Sequence, residues 1–179
     1  KELWTEGRQI TAGDMTLSVE DNGIKLKKGS ETYEISMDDF EVKALAEMKD
    51  GKGDAMVSAG STGALLSGAT LTVRRIPGVR RACFAPVIPN GGKGLLLADC
   101  GANSECTPEY LLQFAYMADI YAREVMGIAS PRIALLNIGA EDSKGGELQK
   151  QTFALLKAEK EAGRLNFVGN LESSAIFSG

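Results

Sequence analysis

The chain has 179 residues, 44% hydrophobic and 25% charged, which fits an ordinary globular domain with a sizeable core rather than a disordered segment. A net charge of -4, a pI near 5.0 and the lack of any dense Lys/Arg run set nucleic acid aside as a partner. With no histidine, the chain cannot build a Ser-His-Asp triad, a Cys-His pair or a His-ligated zinc site from its own residues.

The opening residues Lys1 to Gly7 lack the apolar core of a signal peptide, and no later stretch approaches the roughly 20 apolar residues of a spanning helix. A soluble, cytoplasmic chain is expected. Residues 15 to 36 read as a small antiparallel β meander: Met15, Leu17 and Val19 alternate with Thr16, Ser18 and Glu20, and Asn22-Gly23 supplies a hairpin turn. A second turn is expected at Lys28-Gly29-Ser30. Ser36 and Asp39 resemble a capping box that opens a helix over 37–49.

From Asp54 the rhythm changes to short apolar runs separated by helical patterns, which predicts βα units and a mainly parallel sheet. Strands are expected at 54–58, 83–88, 94–99, 132–138 and 165–169, with helices at 61–74, 108–126 and 146–161. Thr107 and Pro108 read as the start of the second of these helices, and Gly127 as its end. Pro77-Gly78, Pro86, Pro89 and Gly91-Gly92 punctuate a long excursion between helix and strand.

Three junctions carry chemistry. At Ser58-Ala59-Gly60-Ser61-Thr62-Gly63 a predicted strand feeds a helix, so free amides and hydroxyls of Ser58, Ser61 and Thr62 could cradle an anion, most naturally phosphate. The alternative is a structural turn with helix caps. No Gly-Lys-Ser/Thr follows, so it is not a Walker A loop. A second apolar run ends in Asp99, Gly101 and Asn103, where ligands of open α/β sheets bind, although both side chains could equally cap loops. A third ends in Asn137, followed by Glu141, Asp142 and Lys144, a mixed-charge loop that could also be a solvated connection. Three such strand ends in one sheet favour convergence on a cleft.

Arg74, Arg75, Arg80 and Arg81 flank Ile76-Pro77-Gly78-Val79, a basic segment able to clamp phosphate or an acidic partner if it is not simply solvated. Cys83, Cys100 and Cys106 form no paired framework, Cys100 has no evident base, and no metal site or cofactor is expected.

Taken together, VSAGSTGALLSGATLTVRRIPGVRR, LLLADCGANSECTPEYLLQFAYMADIYA and PRIALLNIGAEDSKGGELQK closely resemble the bacterial phosphate acyltransferase family usually called PlsX, over about Gly51 to Gly179. The resemblance implies an enzyme that converts acyl-acyl carrier protein and inorganic phosphate into acyl phosphate for phospholipid synthesis. It also implies a three-layer α/β sandwich shared with isocitrate and isopropylmalate dehydrogenases, a homodimer, and contact with the inner face of the cell membrane. Members are longer, opening on a strand with an Asp-Ala-Met-Gly-Gly-Asp-like loop, and they carry a Lys-Ser-Ser helix ahead of the glycine turn. Here Asp38-Asp39-Phe40 stands instead. The chain therefore reads as a divergent segment at 1–47 and the central part of an acyltransferase domain at 48–179.

On that resemblance, phosphate binding falls to Ser58, Gly60, Ser61, Thr62 and Gly63. Lys144 stabilises the oxyanion, and Asn137, Asp99 and Asn103 shape the cleft; the four arginines receive the carrier or a phosphate. Bound phosphate would attack the thioester directly, without an acyl-enzyme. The rival readings are a phosphotransacetylase-like transfer using coenzyme A and a non-catalytic lipid-pathway scaffold.

Overall fold

The computed structural model describes residues 9–20, 23–58 and 60–177, and the chain divides into two compact units after Arg74. The Asn22 half of the first hairpin turn, and the Ser36 and Asp39 side chains of the expected capping box, lie outside that description.

In the first unit, β1 (Gln9–Ala12), β2 (Met15–Glu20), β3 (Gly23–Lys28) and β4 (Glu31–Ser36) form an antiparallel sheet in chain order. The expected meander is present. Its register sets Leu17 against Leu26 and Ser18 against Lys25, so like faces pair, as the period of two requires. The turn between β3 and β4 rests on Gly29, whose φ of 59° suits a residue without a Cβ.

Helix α1 (Met37–Lys49) follows at the bounds expected from sequence and packs on α2 (Thr62–Thr72). Gly68 makes that approach possible: a Cβ there would stand 2.9 Å from Leu45 Cδ1. The expected strand at 54–58 is not formed. Residues 55–58 pair with no strand among the described residues, and Val57 is 99% exposed; without a neighbouring ladder its apolar run cannot become a strand.

In the second unit the expected strands at 83–88 and 94–99 shorten to β5 (Val87–Ile88) and β6 (Leu95–Leu96), and they pair antiparallel. Their connection is the reason. A parallel crossover needs a dozen or more residues, whereas residues 89–94 form a tight turn in which Asn90 Oδ1 accepts the amides of Gly92 and Gly94, each at 3.1 Å. Parallel pairing, expected to dominate, is confined among the described residues to β7 (Ile133–Asn137) with β8 (Phe167–Glu172).

Helix α3 (Pro108–Glu124) starts as the sequence indicates, with Thr107 Oγ1 accepting the Tyr110 amide and Pro108 in the first turn. Gly127, at φ 65°, ends it, with the Ile128 amide donating to the Ala122 carbonyl. Helix α4 (Glu147–Glu161) packs Phe153 and Leu156 on Leu165 and Phe167, the core of this unit. The Phe153 and Phe167 rings meet edge to face at 5.2 Å, and Leu112, Ala115 and Ile133 close around them. A 3-10 turn (Ser173–Phe177) ends the described chain.

Candidate functional site

In the first unit, the glycine turn opens α2 as expected. Ser61 is its N-cap, with Oγ accepting the Ala64 amide at 3.4 Å, and Ser61, Thr62 and Gly63 are exposed. The Thr62 and Gly63 amides belong to the first helical turn, where helix geometry leaves N–H groups without an intrahelical acceptor, and neither donates to a described residue. Ser58 differs from the expectation. Its hydroxyl donates to Glu41 Oε1 at 2.5 Å and accepts the Gly60 amide at 3.1 Å, so its one proton is already committed within the turn.

Glu41 was missed in the sequence. It is only 1% exposed and lies one helical turn from buried Leu45, on the same face of α1. Its Oε2 is buried without a hydrogen-bond partner among the described residues. An acid at helical spacing from a leucine that must be buried was the available signal, but in the string it looks like another solvated charge of the Asp38–Glu41 run.

Within the second unit, Asp99 and Asn103 come together. Asp99 Oδ1 accepts the Phe84 amide at 2.6 Å, while Oδ2 accepts the Asn103 amide at 2.8 Å and its Nδ2 at 3.2 Å. Asn103 Nδ2 also donates to the Ala82 carbonyl at 2.9 Å. The pair is a strut joining the segment after β6 to the segment before β5. It also disarms the nearby thiols: burial first, and the Asp99 charge second, push Cys83 up to about 11 and raise Cys106. Both stay protonated and unreactive at neutral pH.

Asn137 and Lys144 also meet. Asn137, the last residue of β7, donates Nδ2 to the Lys144 carbonyl at 3.0 Å and accepts the Ile138 amide at 2.8 Å, so it ties the loop back on itself. Gly145, at φ 91°, makes this possible, since a Cβ there would stand 2.7 Å from Asn137 Oδ1. The Lys144 ammonium is half exposed, 3.9 Å from Glu141 Oε2, which leaves its hydrogens free to reach an added oxyanion. Asn170 holds the loop from β8 by donating to the Glu141 carbonyl at 2.8 Å.

The basic segment is split by the unit boundary, with Arg74 in the first unit and Arg75, Arg80 and Arg81 in the second. Pro77 and Gly78 form the tight turn, closed by the Val79 amide on the Ile76 carbonyl at 3.0 Å, and Gly78 has φ 91°. Arg75 donates to the Arg80 carbonyl, and Arg81 lies 5.9 Å from the Tyr110 ring centroid. None of the four pairs with a carboxylate among the described residues.

A cavity of about 840 Å³ also lies in the second unit, lined largely by apolar residues such as Leu95, Leu97, Phe114, Met126 and Leu156. Asp99, Leu136 and Gln149 line it as well, so it reaches the strut and the end of β7. Among the described residues no cluster of His, Cys, Asp and Glu could hold a metal, and no helix is long and apolar enough to cross a membrane.

Comparison with known proteins shows the family. A phosphate acyltransferase of Clostridium acetobutylicum is 48% identical over 149 residues, covering 83% of this chain and 41% of its own. One from Clostridium kluyveri is 51% identical over 138 residues, 77% of this chain and 40% of its own. The chain thus spans about two-fifths of the length of these relatives. Among solved structures, the EutD phosphotransacetylase of Staphylococcus aureus superposes with a TM-score of 0.56 over 75% of this chain and 42% of its own, at 23% identity, a likeness of fold. The fatty acid synthesis protein model matches residues 31–179, starting ahead of the quoted motifs, and the chain belongs to that family, the PlsX family of phosphate acyltransferases.

Proposed function

We propose that the protein of which this chain forms part is a phosphate acyltransferase that converts acyl-acyl carrier protein and inorganic phosphate into acyl phosphate for phospholipid synthesis. The observation that carries this is the exposed amide pair of Thr62 and Gly63 at the capped start of α2, in a chain close to half identical to proteins named phosphate acyltransferase. Gly60, Ser61, Thr62 and Gly63 are assigned to phosphate, with Ser58 holding the turn to Glu41.

A phosphate oxygen attacks the thioester carbonyl, a tetrahedral oxyanion forms, and the C–S bond breaks, with the carrier thiolate taking up a proton. Phosphate is a competent nucleophile at neutral pH, so this step needs no histidine from this chain, which has none. The protein's contribution is positioning and charge stabilisation. Lys144, oriented through Asn137, is assigned to the oxyanion; Asp99 and Asn103 brace the substrate region. The apolar cavity suits a long acyl chain, and Arg74, Arg75, Arg80 and Arg81 suit an acidic carrier.

The same reading takes residues 48–179 as the acyltransferase portion and 1–47 as a divergent segment, in a three-layer sandwich of the isocitrate dehydrogenase type. It takes the whole protein as a cytoplasmic homodimer touching the inner membrane face. The phosphotransacetylase among its fold neighbours favours a second reading, transfer between coenzyme A and phosphate. Trapping acyl phosphate with hydroxylamine tests both. Phosphate-dependent hydroxamate from a long-chain acyl carrier thioester supports the first, an equal or greater yield from acyl coenzyme A supports the second, and none from either leaves a scaffold.

A further inference from the structure

We propose that the cavity of the second unit takes a β-strand. An extended run of about five apolar residues, from the part of the longer protein beyond this chain, adds to the open edge of β7 and faces β6 on its other side. This rests on the reading of the chain as part of a longer phosphate acyltransferase. The matched segments cover 41% and 40% of the relatives, so about three-fifths of each lies outside them and can supply such a strand.

The cavity follows strand edges rather than a sheet face. Every residue from Gly94 to Asp99 and from Arg132 to Leu136 lines it. Successive side chains of a strand point to opposite faces, so a cavity touched by all of them runs along the edge where the two faces meet. Among the described residues β7 pairs only with β8, and β6 only with β5. Their backbone groups show which edges are open. The Ile133 amide donates to the Asn166 carbonyl at 2.9 Å, on the β8 side. Backbone groups alternate along a strand, so the N–H and C=O of Ala134 and Leu136 point the other way. The register shift between Ile133 and Ala134 leaves this intact, because the extra residue, Val168, lies on β8. On β6 the Leu97 amide donates to the Pro86 carbonyl at 3.1 Å, so the Leu96 groups point away from β5.

Backbone donors and acceptors at strand spacing along an apolar wall call for a partner that carries both at the same spacing. A hydrocarbon chain carries neither, whereas an added strand carries both. The walls are apolar on both faces, with Leu95, Leu96, Ala134 and Leu135 in succession, which suits the continuous apolar run of a strand buried inside a sheet. A parallel pair of only two strands also gains most from a third. The part of the cavity bounded by Phe114, Ala118 and Met126 is left for the acyl chain.

The test is residue-resolved amide hydrogen exchange on the full-length protein by NMR, together with the cross-strand contacts of the same amides. In an edge strand the Ala134 and Leu136 amides exchange at least about a hundredfold faster than those of Ile133 and Leu135, which face β8, whereas in a central strand the four lie within about tenfold. The expected result is the second pattern, with contacts from Ala134 and Leu136 to residues outside this chain. A hundredfold alternation overturns the proposal. Contacts to residues 94–98 overturn it too, since β6 would then pair with β7 directly. Protection that appears only on adding a long-chain acyl coenzyme A gives the cavity to the acyl chain alone, and protection lost on dilution gives it to a second copy; either also overturns the strand. Hydroxamate formation is scored on the same protein. Product alongside fast Ala134 exchange sinks the strand and spares the enzyme, and protection without product does the reverse.

Discussion

Replacing Gly60 with Ala probes the turn most directly. The new Cβ would stand 2.2 Å from Glu41 Oε1, 2.9 Å from its Cδ and 3.3 Å from Ser58 Oγ. Gly60 is not among the positive-φ residues, so backbone strain is not at issue and the effect is purely one of space. Glu41, 1% exposed, has little room to retreat. Swinging it aside breaks the Ser58 hydrogen bond, worth about 1.5–3 kcal/mol for a charged acceptor. Keeping that bond instead means overpacking, which costs about 1–3 kcal/mol. Either route predicts a loss of about 2 kcal/mol, which lowers the urea midpoint by about 1 M for an m-value near 2 kcal/mol/M. In a Glu41→Ala background the same substitution should cost less than about 0.5 kcal/mol, because the atom it strikes is gone. Gly63→Ala is the control: its nearest neighbour is Ser61 Oγ at 3.7 Å, so stability should stay within about 0.5 kcal/mol. Far-UV circular dichroism during denaturation reads all of these. A Gly60→Ala midpoint equal to that of the parent, or a full cost persisting without Glu41, refutes the packing argument.

Lys144→Ala in the full-length enzyme should lower turnover by about a hundredfold or more, as removal of an oxyanion partner does, while near-normal hydroxamate yield would reject that role. Asp99→Asn sets an NH2 against backbone donors that both carboxylate oxygens now accept, so a loss of about 1–3 kcal/mol is expected, with faster hydrogen exchange at the Phe84 amide as its local sign. Arg164, with help from the Tyr116 hydroxyl, holds the Glu159 carboxyl down to about 2, against an ordinary value of about 4.3. Its contribution is therefore complete above about pH 4.3 and is lost as pH falls through about 2. Acid unfolding of Arg164→Ala should begin at higher pH across that window; superimposable curves would show the pair to be inert.

Local rules carried much of this protein in its sequence. Helix α1 follows at its expected bounds because Ser36 ends a strand pattern and a helical one begins. Thr107-Pro108 and Gly127 bracket α3 because capping and positive φ are properties of a few adjacent residues. The meander was legible because its partners are neighbours in sequence. Family membership was legible too, since several motifs stand in a fixed order. Pairing between distant segments was not local information. The run at 54–58 has the composition of a strand, yet becomes one only beside another, and the segments at 83–88 and 94–99 were bound to pair antiparallel once Asn90 closed the turn between them.

The site divides the same way. The amides after Ser61 and the ammonium of Lys144 follow from residue type and helix start, so the sequence alone determines that they exist. Only the tertiary structure decided what each polar group is already spending its hydrogen bonds on. It committed the Ser58 hydroxyl to Glu41 and both oxygens of Asp99 to backbone amides, and it buried Glu41 Oε2 without a partner among the described residues. A hydrogen-bonding group has few valences, and which neighbours fill them depends on which residues packing brings within about 3 Å.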